Sequence, residues 1–215
     1  MKTDPLKKKH SAYHHGNLKE ELVQTALVMI GEIGVDAITL RELGLRLGTS
    51  RSAIYRHFTN KEALMKQVIL AGFEKLNIAI SPSFDDGNKT LLERFYAMGK
   101  AYVNFALENQ DLYRLLFGAQ LMQAREEVCE SDKPELHNLR HGNTDPHSLK
   151  EDELDTAFHK LVGIIVMGQD AGTFKKGDPI LHATGVWSLL HGFSSLLIDG
   201  HVHVMDNLDA LYESS

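Results

Sequence analysis

Hydrophobic side chains recur at helical spacing along most of the chain. The first run follows Asn17, a residue suited to capping a helix, and its apolar face over residues 22–33 stops before Gly34. A longer run occupies residues 61–76. No segment of the sequence alternates apolar and polar residues as a half-buried strand would, so the pattern predicts an all-α fold.

Proline, glycine and polar residues divide the chain into two parts. Residues 81–83 (Ser-Pro-Ser) and 85–87 (Asp-Asp-Gly) predict a break after the long helix. Beyond the break, apolar periodicity predicts helices over residues 89–109, 111–128, 150–174 and 179–200. The polar residues 130–150 are typical of a long loop.

Two short helices and a tight turn are predicted shortly before the long helix. Thr39 and Glu42 have the spacing of a capping box, in which each side chain accepts a hydrogen bond from the other residue's backbone N–H. Leucines at positions 40, 43 and 47 give this first short helix one apolar face, and Gly48 suits its C-terminal end.

The second short helix is expected to carry chemistry on its exposed face. Thr49 and Ser50 are both good N-caps, and the helix is expected to run to about Phe58. Its apolar residues are Ala53, Ile54 and Phe58, which leaves Arg51, Ser52, Tyr55 and Arg56 outside. Arginine binds guanine bidentately and tyrosine binds phosphate, so this face suits a DNA major groove. An ordinary helical hairpin with a solvated basic face is the alternative.

The next helix begins at a possible phosphate site. Asn60 is a good N-cap, and Lys61 stands in the first turn. A lysine is mildly unfavourable at a helix N-terminus by itself, but it would help the free amides to bind a phosphate.

These residues resemble the signature of the TetR family of one-component transcriptional regulators. The resemblance runs from about residue 13 to residue 70 and rests on Thr39, Gly48, Ser50, Tyr55, Arg56, His57, Phe58 and Lys61. We expect Arg51 and Ser52 to face base edges. The expected phosphate contacts are Thr39, Tyr55, Arg56, His57 and Lys61, and Thr49 and Ser50 complete the predicted DNA-binding set.

The resemblance divides the chain into three regions. Residues 1–16 include three consecutive lysines and are predicted to be a disordered basic arm, which either follows DNA or only adds solubility. Residues 17–63 would form a three-helix helix-turn-helix domain. Residues 64–215 would form a larger helical domain for effector binding and dimerisation.

The last predicted helix is too apolar for a solvated surface, which indicates a partner. Trp187, His191 and Gly192 resemble the C-terminal domain of TetR-like regulators named for a Trp-His-Gly motif. In this family the last two long helices of two subunits pair as a four-helix bundle, so the resemblance implies a homodimer. The candidate interface residues are Trp187, His191, Phe193 and Leu197.

Methionine and aromatic side chains in the second part of the chain are expected in the first place to form the hydrophobic core. In a regulator they are also candidates for a pocket that holds a small apolar or aromatic effector. These candidates are Met98, Tyr102, Phe117, Met122, Phe158 and Trp187.

The distribution of charge supports DNA as a partner. The net charge of the chain is −6, but residues 1–61 contain ten Lys/Arg and six Asp/Glu, a net charge of +4. The remaining residues therefore carry −10. A molecule with this polarity should approach DNA with its N-terminal end.

Other chemistry has weaker support in the sequence. His137, His141 and His147 could bind zinc, but they lie in a segment rich in polar residues. Cys129 is the single cysteine of the chain, and we expect it to be an unreactive thiol and not a redox sensor. No phosphate loop, nucleophile elbow or paired-carboxylate motif indicates an enzyme, and no cofactor is expected. No apolar run or signal-peptide core indicates a membrane, so a cytoplasmic location is expected.

The sequence therefore predicts a ligand-responsive DNA-binding regulator, most simply a repressor that binds a palindromic operator as a homodimer. A DNA-binding structural protein without an effector is one alternative. A metal-sensing regulator that uses the three histidines of the polar segment is another.

Overall fold

Eight helices make up the fold of residues 18–118 and 156–203, the part of the chain that the computed structural model describes. None of these residues lies in a strand, which confirms the all-α prediction. The helices are α1 (Leu18–Ile33), α2 (Leu40–Leu47), α3 (Arg51–Tyr55), α4 (Lys61–Asp85), α5 (Leu91–Glu108), α6 (Gln110–Phe117), α7 (Ala157–Asp170) and α8 (Pro179–Ile198).

Several predictions concern residues outside the described ranges. These residues are the basic arm 1–16, the cap Asn17, Met122, Cys129, the loop 130–150 and the histidines His137, His141 and His147.

The first three helices share one apolar core. Leu22 and Ile30 of α1, Leu43 of α2 and Ile54 of α3 are buried together with Phe58, which follows α3. Each helix contributes the residues that its sequence periodicity places on one face. The core fixes the angle between α2 and α3 and therefore the direction in which the exposed face of α3 points.

The turn between α2 and α3 forms largely as its sequence predicts. Gly48 adopts the left-handed conformation at φ 64°, and its N–H donates to the carbonyl of Leu45. At the start of α2, the N–H of Glu42 donates to the hydroxyl of Thr39 over 3.0 Å. This is one of the two bonds of the predicted capping box.

Helix α3 is shorter than predicted, because it ends at Tyr55 and not near Phe58. The N–H groups of His57 and Phe58 both donate to the carbonyl of Ile54, which closes the chain into a turn. The turn places the Phe58 ring in the core, where it is 2% exposed. Burial of this ring therefore outweighs continuation of the helix.

The predicted break at residues 81–83 is wrong, since α4 continues through Pro82 to Asp85. A proline in a helix removes one backbone donor. Here the Ser81 hydroxyl donates to the carbonyl of Asn77 over 2.8 Å, and the last turn is anchored by the buried Phe84 ring. Arg94 of α5 donates through Nε to the carbonyl of Phe84 over 2.7 Å. Tertiary contacts thus hold the helix beyond the proline.

A complete capping box stands at the start of α5, between Thr90 and Glu93. The next helix, α6, begins at Gln110, one residue before the predicted start at residue 111. The prediction that this helix continues past Gly118 is also wrong, because Gly118 is extended at φ −73° and ψ 167°. The Gly118 N–H donates to the carbonyl of Arg114 over 2.7 Å and closes the last turn.

Helix α7 ends at Asp170, short of the predicted end near Phe174. The chain turns back at Gly172, and the N–H of Phe174 donates to the carbonyl of Gly168. The Phe174 ring then lies directly against Gly168, in space that a side chain would fill. The predicted proline start of α8 is confirmed, with Asp178 as its N-cap.

The long helix α4 joins the N-terminal three-helix unit to the rest of the molecule, where it packs against α5, α6 and α7. Helix α8 packs on α5 and α7. The short α6 contacts α1, α4 and α5. It therefore touches both the N-terminal unit and the helices of the second part.

Candidate DNA interface and aromatic cluster

The α3 surface, which we define as Arg51, Ser52, Tyr55 and Arg56, is exposed on the outside of the N-terminal unit. Ala53 and Ile54 lie on the opposite side of the helix and are buried. His57 is exposed in the turn that follows. Four of the residues that the sequence assigned to base and phosphate contacts thus share the exposed face of α3.

Two side chains of the α3 surface are coupled to each other. The Arg51 guanidinium lies over the Tyr55 ring, 5.3 Å from the ring centroid. A cation–π contact of this kind restricts the arginine side chain before any ligand binds. Arg51 is therefore partly oriented by its neighbour, one helical turn away.

Ser50 has a local structural role beside the α3 surface. Its hydroxyl accepts the N–H of Ala53 over 3.2 Å and lies 3.1 Å from the Ser52 hydroxyl. A serine that caps a helix stabilises it by satisfying a free amide. The neighbouring Thr49 is half-buried, and its N–H donates to the carbonyl of Gly44.

Lys61 also makes structural contacts at the proposed phosphate site. Its ammonium donates to the carbonyl of Val35 over 2.9 Å and to that of Asp36 over 3.2 Å. These bonds tie the N-terminus of α4 to the loop between α1 and α2. An ammonium has three N–H donors, so one remains for a phosphate in addition to the two carbonyls.

A bidentate ion pair fastens α2 to the end of α1. Arg46 binds both carboxylate oxygens of Glu32, with Nη2 donating to Oε1 over 2.7 Å. The hydrogen bond from Arg46 lowers the pKa of the Glu32 carboxyl below its usual value. Both side chains remain substantially exposed, so the pair orients α2 more than it stabilises the fold.

A second group of functional side chains, the aromatic cluster, consists of Tyr102, Tyr113, Phe117, Trp187 and His191. Tyr102 comes from α5, Tyr113 and Phe117 come from α6, and Trp187 and His191 come from α8. The Phe117 ring lies 4.9 Å from Tyr113, 5.1 Å from His191 and 6.1 Å from Trp187, measured between ring centroids. Three helices thus meet around one ring.

Hydrogen bonds connect the polar atoms of the aromatic cluster. Trp187 Nε1 donates to the Tyr102 hydroxyl over 3.2 Å, and the two tyrosine hydroxyls are 3.1 Å apart. The Tyr113 hydroxyl lies 2.5 Å from His191 Nδ1, and the Tyr102 hydroxyl lies 3.3 Å from the same atom. Burial raises the pKa of both phenols and lowers the pKa of His191, so all three groups are neutral at neutral pH.

The pocket candidates from the sequence fall around this cluster. Tyr102, Phe117 and Trp187 are members of it, and the Phe158 ring lies 5.9 Å from the Trp187 ring. Met98 is buried in the core on α5. Tyr113 is not among the sequence candidates, and His191 is a candidate only for the dimer interface. Their signal in the sequence is the i, i+4 spacing of Tyr113 with Phe117 and of Trp187 with His191, which places each pair on one helical face.

The predicted dimer residues lie mainly on the inward side of α8. Trp187 and His191 belong to the aromatic cluster, Leu197 is buried within the chain, and Phe193 is half-buried. A different set of residues faces outward. Leu181, Leu189 and Leu196 are 67%, 76% and 44% exposed, and open space surrounds Gly185 and Gly192 between them.

Within 18–118 and 156–203, no three His, Cys, Asp or Glu side chains come together as metal ligands. No helix in these ranges has the length and hydropathy needed to cross a membrane.

Family comparisons agree with this architecture. Residues 18–68 match the family described as bacterial regulatory proteins, tetR family. Residues 95–215 match the tetracyclin repressor-like C-terminal domain. The two matches together cover both parts of the chain, and the second alone covers more than half of it.

Among known proteins, the nucleoid occlusion factor SlmA of Vibrio cholerae is 32% identical over 52% of this chain and 57% of its own length. A class A tetracycline repressor from Escherichia coli is 35% identical over 33% of each chain. The first match therefore spans little more than half of that relative, and the second spans a third. The nucleoid occlusion factor SlmA of Vibrio atlanticus is 31% identical over 81% of this chain and 94% of its own length.

A solved structure shares the fold over nearly the whole chain. The protein of unknown function from Rhodococcus sp. RHA1 has a TM-score of 0.70 and 24% identity, and the likeness covers 95% of this chain and 96% of that protein.

Proposed function

Since the chain belongs to the TetR family of DNA-binding transcriptional regulators, we propose that it is a ligand-responsive repressor in the cytoplasm. In this proposal a homodimer binds a palindromic operator through two copies of α3 and leaves it when a small molecule binds at the aromatic cluster. The Trp-His-Gly motif supplies Trp187 and His191 to that cluster.

The α3 surface supplies the DNA contacts in this proposal. Arg51 and Ser52 read base edges, because an arginine binds guanine bidentately and a serine permits close approach. Tyr55, Arg56 and His57 hold phosphates, as do Thr39, Thr49 and Lys61 around them. Lys61 does so with the N–H that its two carbonyl bonds leave over.

The outer stripe of α8, which we define as Leu181, Gly185, Leu189, Gly192 and Leu196, supplies the dimer interface. These residues follow helical spacing, so they lie along one face. The two glycines leave room for a partner helix to approach closely, and the leucines flank them. Two-fold pairing would set two α3 helices about 34 Å apart, the spacing of successive major grooves.

One observation carries the proposal of ligand response, namely the position of α6. Its Tyr113 and Phe117 belong to the aromatic cluster. Its Leu112 and Leu116 pack against Gly72 of α4 so closely that a methyl group there would lie 2.9 Å from Leu116. Helix α6 also contacts α1. A ligand that moves α6 would therefore act on both α1 and α4, which position α3.

The energetics of such a switch are modest. An effector must favour the conformation with wrongly spaced α3 helices by a few kcal/mol to release the operator, as is typical of allosteric coupling. The effector therefore has to distinguish the two positions of α6, and tight binding by itself is not sufficient.

The test is binding of purified full-length protein to genomic DNA fragments, including its own promoter region, over a range of salt concentrations. We expect selective, salt-sensitive binding that is lost in Arg51→Ala/Arg56→Ala. The matched control is Lys89→Ala/Lys176→Ala, which removes the same charge from exposed sites outside α3 and should keep selective binding. Equal binding by the arginine variant, or binding without sequence preference, would refute the assignment.

A second candidate function has its own support. The likeness to proteins named nucleoid occlusion factors makes a DNA-binding structural role without an effector a specific alternative. This role predicts many chromosomal sites and binding that no small molecule reverses. Chromatin immunoprecipitation counts the bound sites in the cell. A separate binding assay tests whether metabolites from cell extract release the purified protein from DNA. Together, the two results separate the two functions.

A further inference from the structure

The indole N–H of Trp187 determines which group donates and which accepts in each hydrogen bond of the aromatic cluster. The indole N–H of Trp187 can only donate, so the Tyr102 oxygen accepts. The Tyr102 hydrogen is then directed to the Tyr113 oxygen at 3.1 Å, and the Tyr113 hydrogen to His191 Nδ1 at 2.5 Å. Nδ1 of His191 is therefore an acceptor, and in the neutral ring the hydrogen stands on Nε2.

The opposite direction leaves a hydrogen without a partner. If Nδ1 of His191 carried the hydrogen, it would donate to Tyr113, and Tyr113 would donate to Tyr102. The Tyr102 oxygen would then accept from both Tyr113 and Trp187, and its own hydrogen would have no acceptor among the observed bonds. To avoid this, the Tyr113 hydrogen would have to turn to Ser194 or Ser195 near its hydroxyl, but Ser194 Oγ makes no hydrogen bond in the structure. An unsatisfied buried donor is costly, so the first direction is favoured.

The chain of bonds ends in one donor that no described residue accepts. Within residues 18–118 and 156–203, no acceptor lies at hydrogen-bond distance from His191 Nε2. His191 is only half-buried, so this atom can be reached. The aromatic rings in contact with the His191 ring are those of Tyr113, Phe117 and Trp187, and none of them carries a charge.

We propose that the aromatic cluster binds an uncharged, ring-bearing molecule whose carbonyl oxygen or similar acceptor takes the hydrogen of His191 Nε2. This inference rests on the proposed function, in which the cluster is the effector site, and it specifies the chemistry of the effector. The rings of Phe117 and Trp187 contact the apolar body of the molecule, and His191 selects for the acceptor.

The selectivity expected from this arrangement has two parts. A hydrocarbon of the same shape would leave the Nε2–H without a partner in a desolvated site, so it should bind about tenfold more weakly. A carboxylate would lose its hydration against uncharged rings with no opposite charge to replace it. Ketones, esters or amides are therefore preferred over both.

The first experiment determines the hydrogen position in the full-length protein without any ligand. Long-range proton–nitrogen NMR spectra of histidine-labelled protein report which ring nitrogen carries the hydrogen. The His191 signals are those that disappear in His191→Asn. We expect the Nε2–H form at neutral pH, and an Nδ1–H or doubly protonated ring would overturn the proposal.

The second experiment uses probe molecules that differ only in the acceptor. The two pairs are acetophenone with ethylbenzene and 2-acetylnaphthalene with 2-ethylnaphthalene, and benzoate is the charged compound for comparison. Their affinities are measured by ligand-observed NMR. We expect at least one ketone to bind about tenfold more tightly than its ethyl partner and than benzoate. In His191→Asn, whose amide can replace Nδ1 but has no atom at Nε2, that difference should vanish.

Three results of the probe experiment would overturn the proposal. These are equal affinity within both pairs, a preference for benzoate, and no binding by any probe. Neither experiment involves DNA, so failure here is distinct from failure of the proposed function. A protein that binds its operator selectively but holds His191 as Nδ1–H would remain a DNA-binding regulator with a different effector.

Discussion

The N-terminal unit and the aromatic cluster differ in how far apart their interacting residues stand in the chain. In the N-terminal unit, Ser50 caps the amide of Ala53, three residues away. In the cluster, Tyr113 binds His191 across 78 positions, and Tyr102 binds Trp187 across 85. The N-terminal unit thus depends on local caps, on bonds over 14 and 26 positions and on its apolar core, whereas the aromatic cluster depends on three helices that are far apart in the chain.

This difference has a functional consequence. The caps and bonds that hold the α3 surface lie within the N-terminal unit, so that surface can be moved as a unit. The aromatic cluster brings α5, α6 and α8 together, and a ligand there can change how these helices sit. In the proposed function, the α3 surface binds DNA and the aromatic cluster binds the ligand, and α6 connects the two regions. The following changes affect each region separately.

The largest expected effect is on the core of the N-terminal unit. Phe58→Ala removes a ring that is 2% exposed, and such truncations cost about 3–5 kcal/mol of unfolding free energy. Urea denaturation followed by circular dichroism measures the loss. Tyr55→Ala is the control, because it removes an aromatic ring that is 44% exposed and should cost much less. Equal losses in the two variants would contradict the core assignment.

The next effect is on the aromatic cluster. Tyr113→Phe removes the hydroxyl at 2.5 Å from His191 and leaves the half-buried Nδ1 with only the longer contact to the Tyr102 hydroxyl at 3.3 Å, at a cost of about 1–3 kcal/mol. Tyr96→Phe removes a hydroxyl that has no such bond to His191 and serves as the control. We expect only the first variant to lower the urea midpoint and to shift the fluorescence of Trp187, which is the single tryptophan of the chain.

A smaller effect is expected at the cap of α3. Ser50→Ala removes the acceptor of the Ala53 amide and should cost about 1 kcal/mol, which would also weaken operator binding by loosening α3. Ser52→Ala is the comparison, because Ser52 is exposed and does not cap the helix. If Ser52→Ala proved the more destabilising of the two in thermal unfolding, the capping role of Ser50 would be refuted.

The smallest effect concerns the exposed pair of Glu32 with Arg46. The folded-state pKa of Glu32 lies below its usual value, so its contribution to stability is present above the usual glutamate pKa and is lost as the pH falls through the folded-state pKa. The difference in denaturation midpoint between wild type and Glu32→Gln should therefore shrink in acid and at high salt. Glu74→Gln, at an exposed position of α4, should show no such pH-dependent difference.

The same contrast explains what the sequence could predict. The caps at Thr39, Ser50 and Asn60 involve neighbours in the chain, and each of these side chains accepts a first-turn amide as expected. The all-α fold and the start of α8 at residue 179 follow equally from local signals.

Predictions failed where distant contacts decide the outcome. Local rules end a helix before Pro82, but the buried Phe84 and its bond from Arg94 extend α4 to Asp85. Local rules also continue α3 to Phe58, whereas burial of that ring closes a turn instead. The bond between Tyr113 and His191 could not be predicted, because periodicity gives the face of each helix but not the helix that it meets.

The most direct test of the coupling between the two regions needs no effector. By reciprocity, if a ligand at the aromatic cluster changes DNA affinity, DNA binding must change the affinity of the cluster for that ligand. In the proposed mechanism this occurs because DNA binding shifts α6, which carries Tyr113 and Phe117 of the cluster. Trp187 fluorescence is therefore measured while a selected operator fragment is added, with Arg51→Ala/Arg56→Ala as the non-binding control. We predict a saturable change in emission that follows operator binding in the wild type and is absent in the control. Tight operator binding with unchanged Trp187 emission would contradict the account.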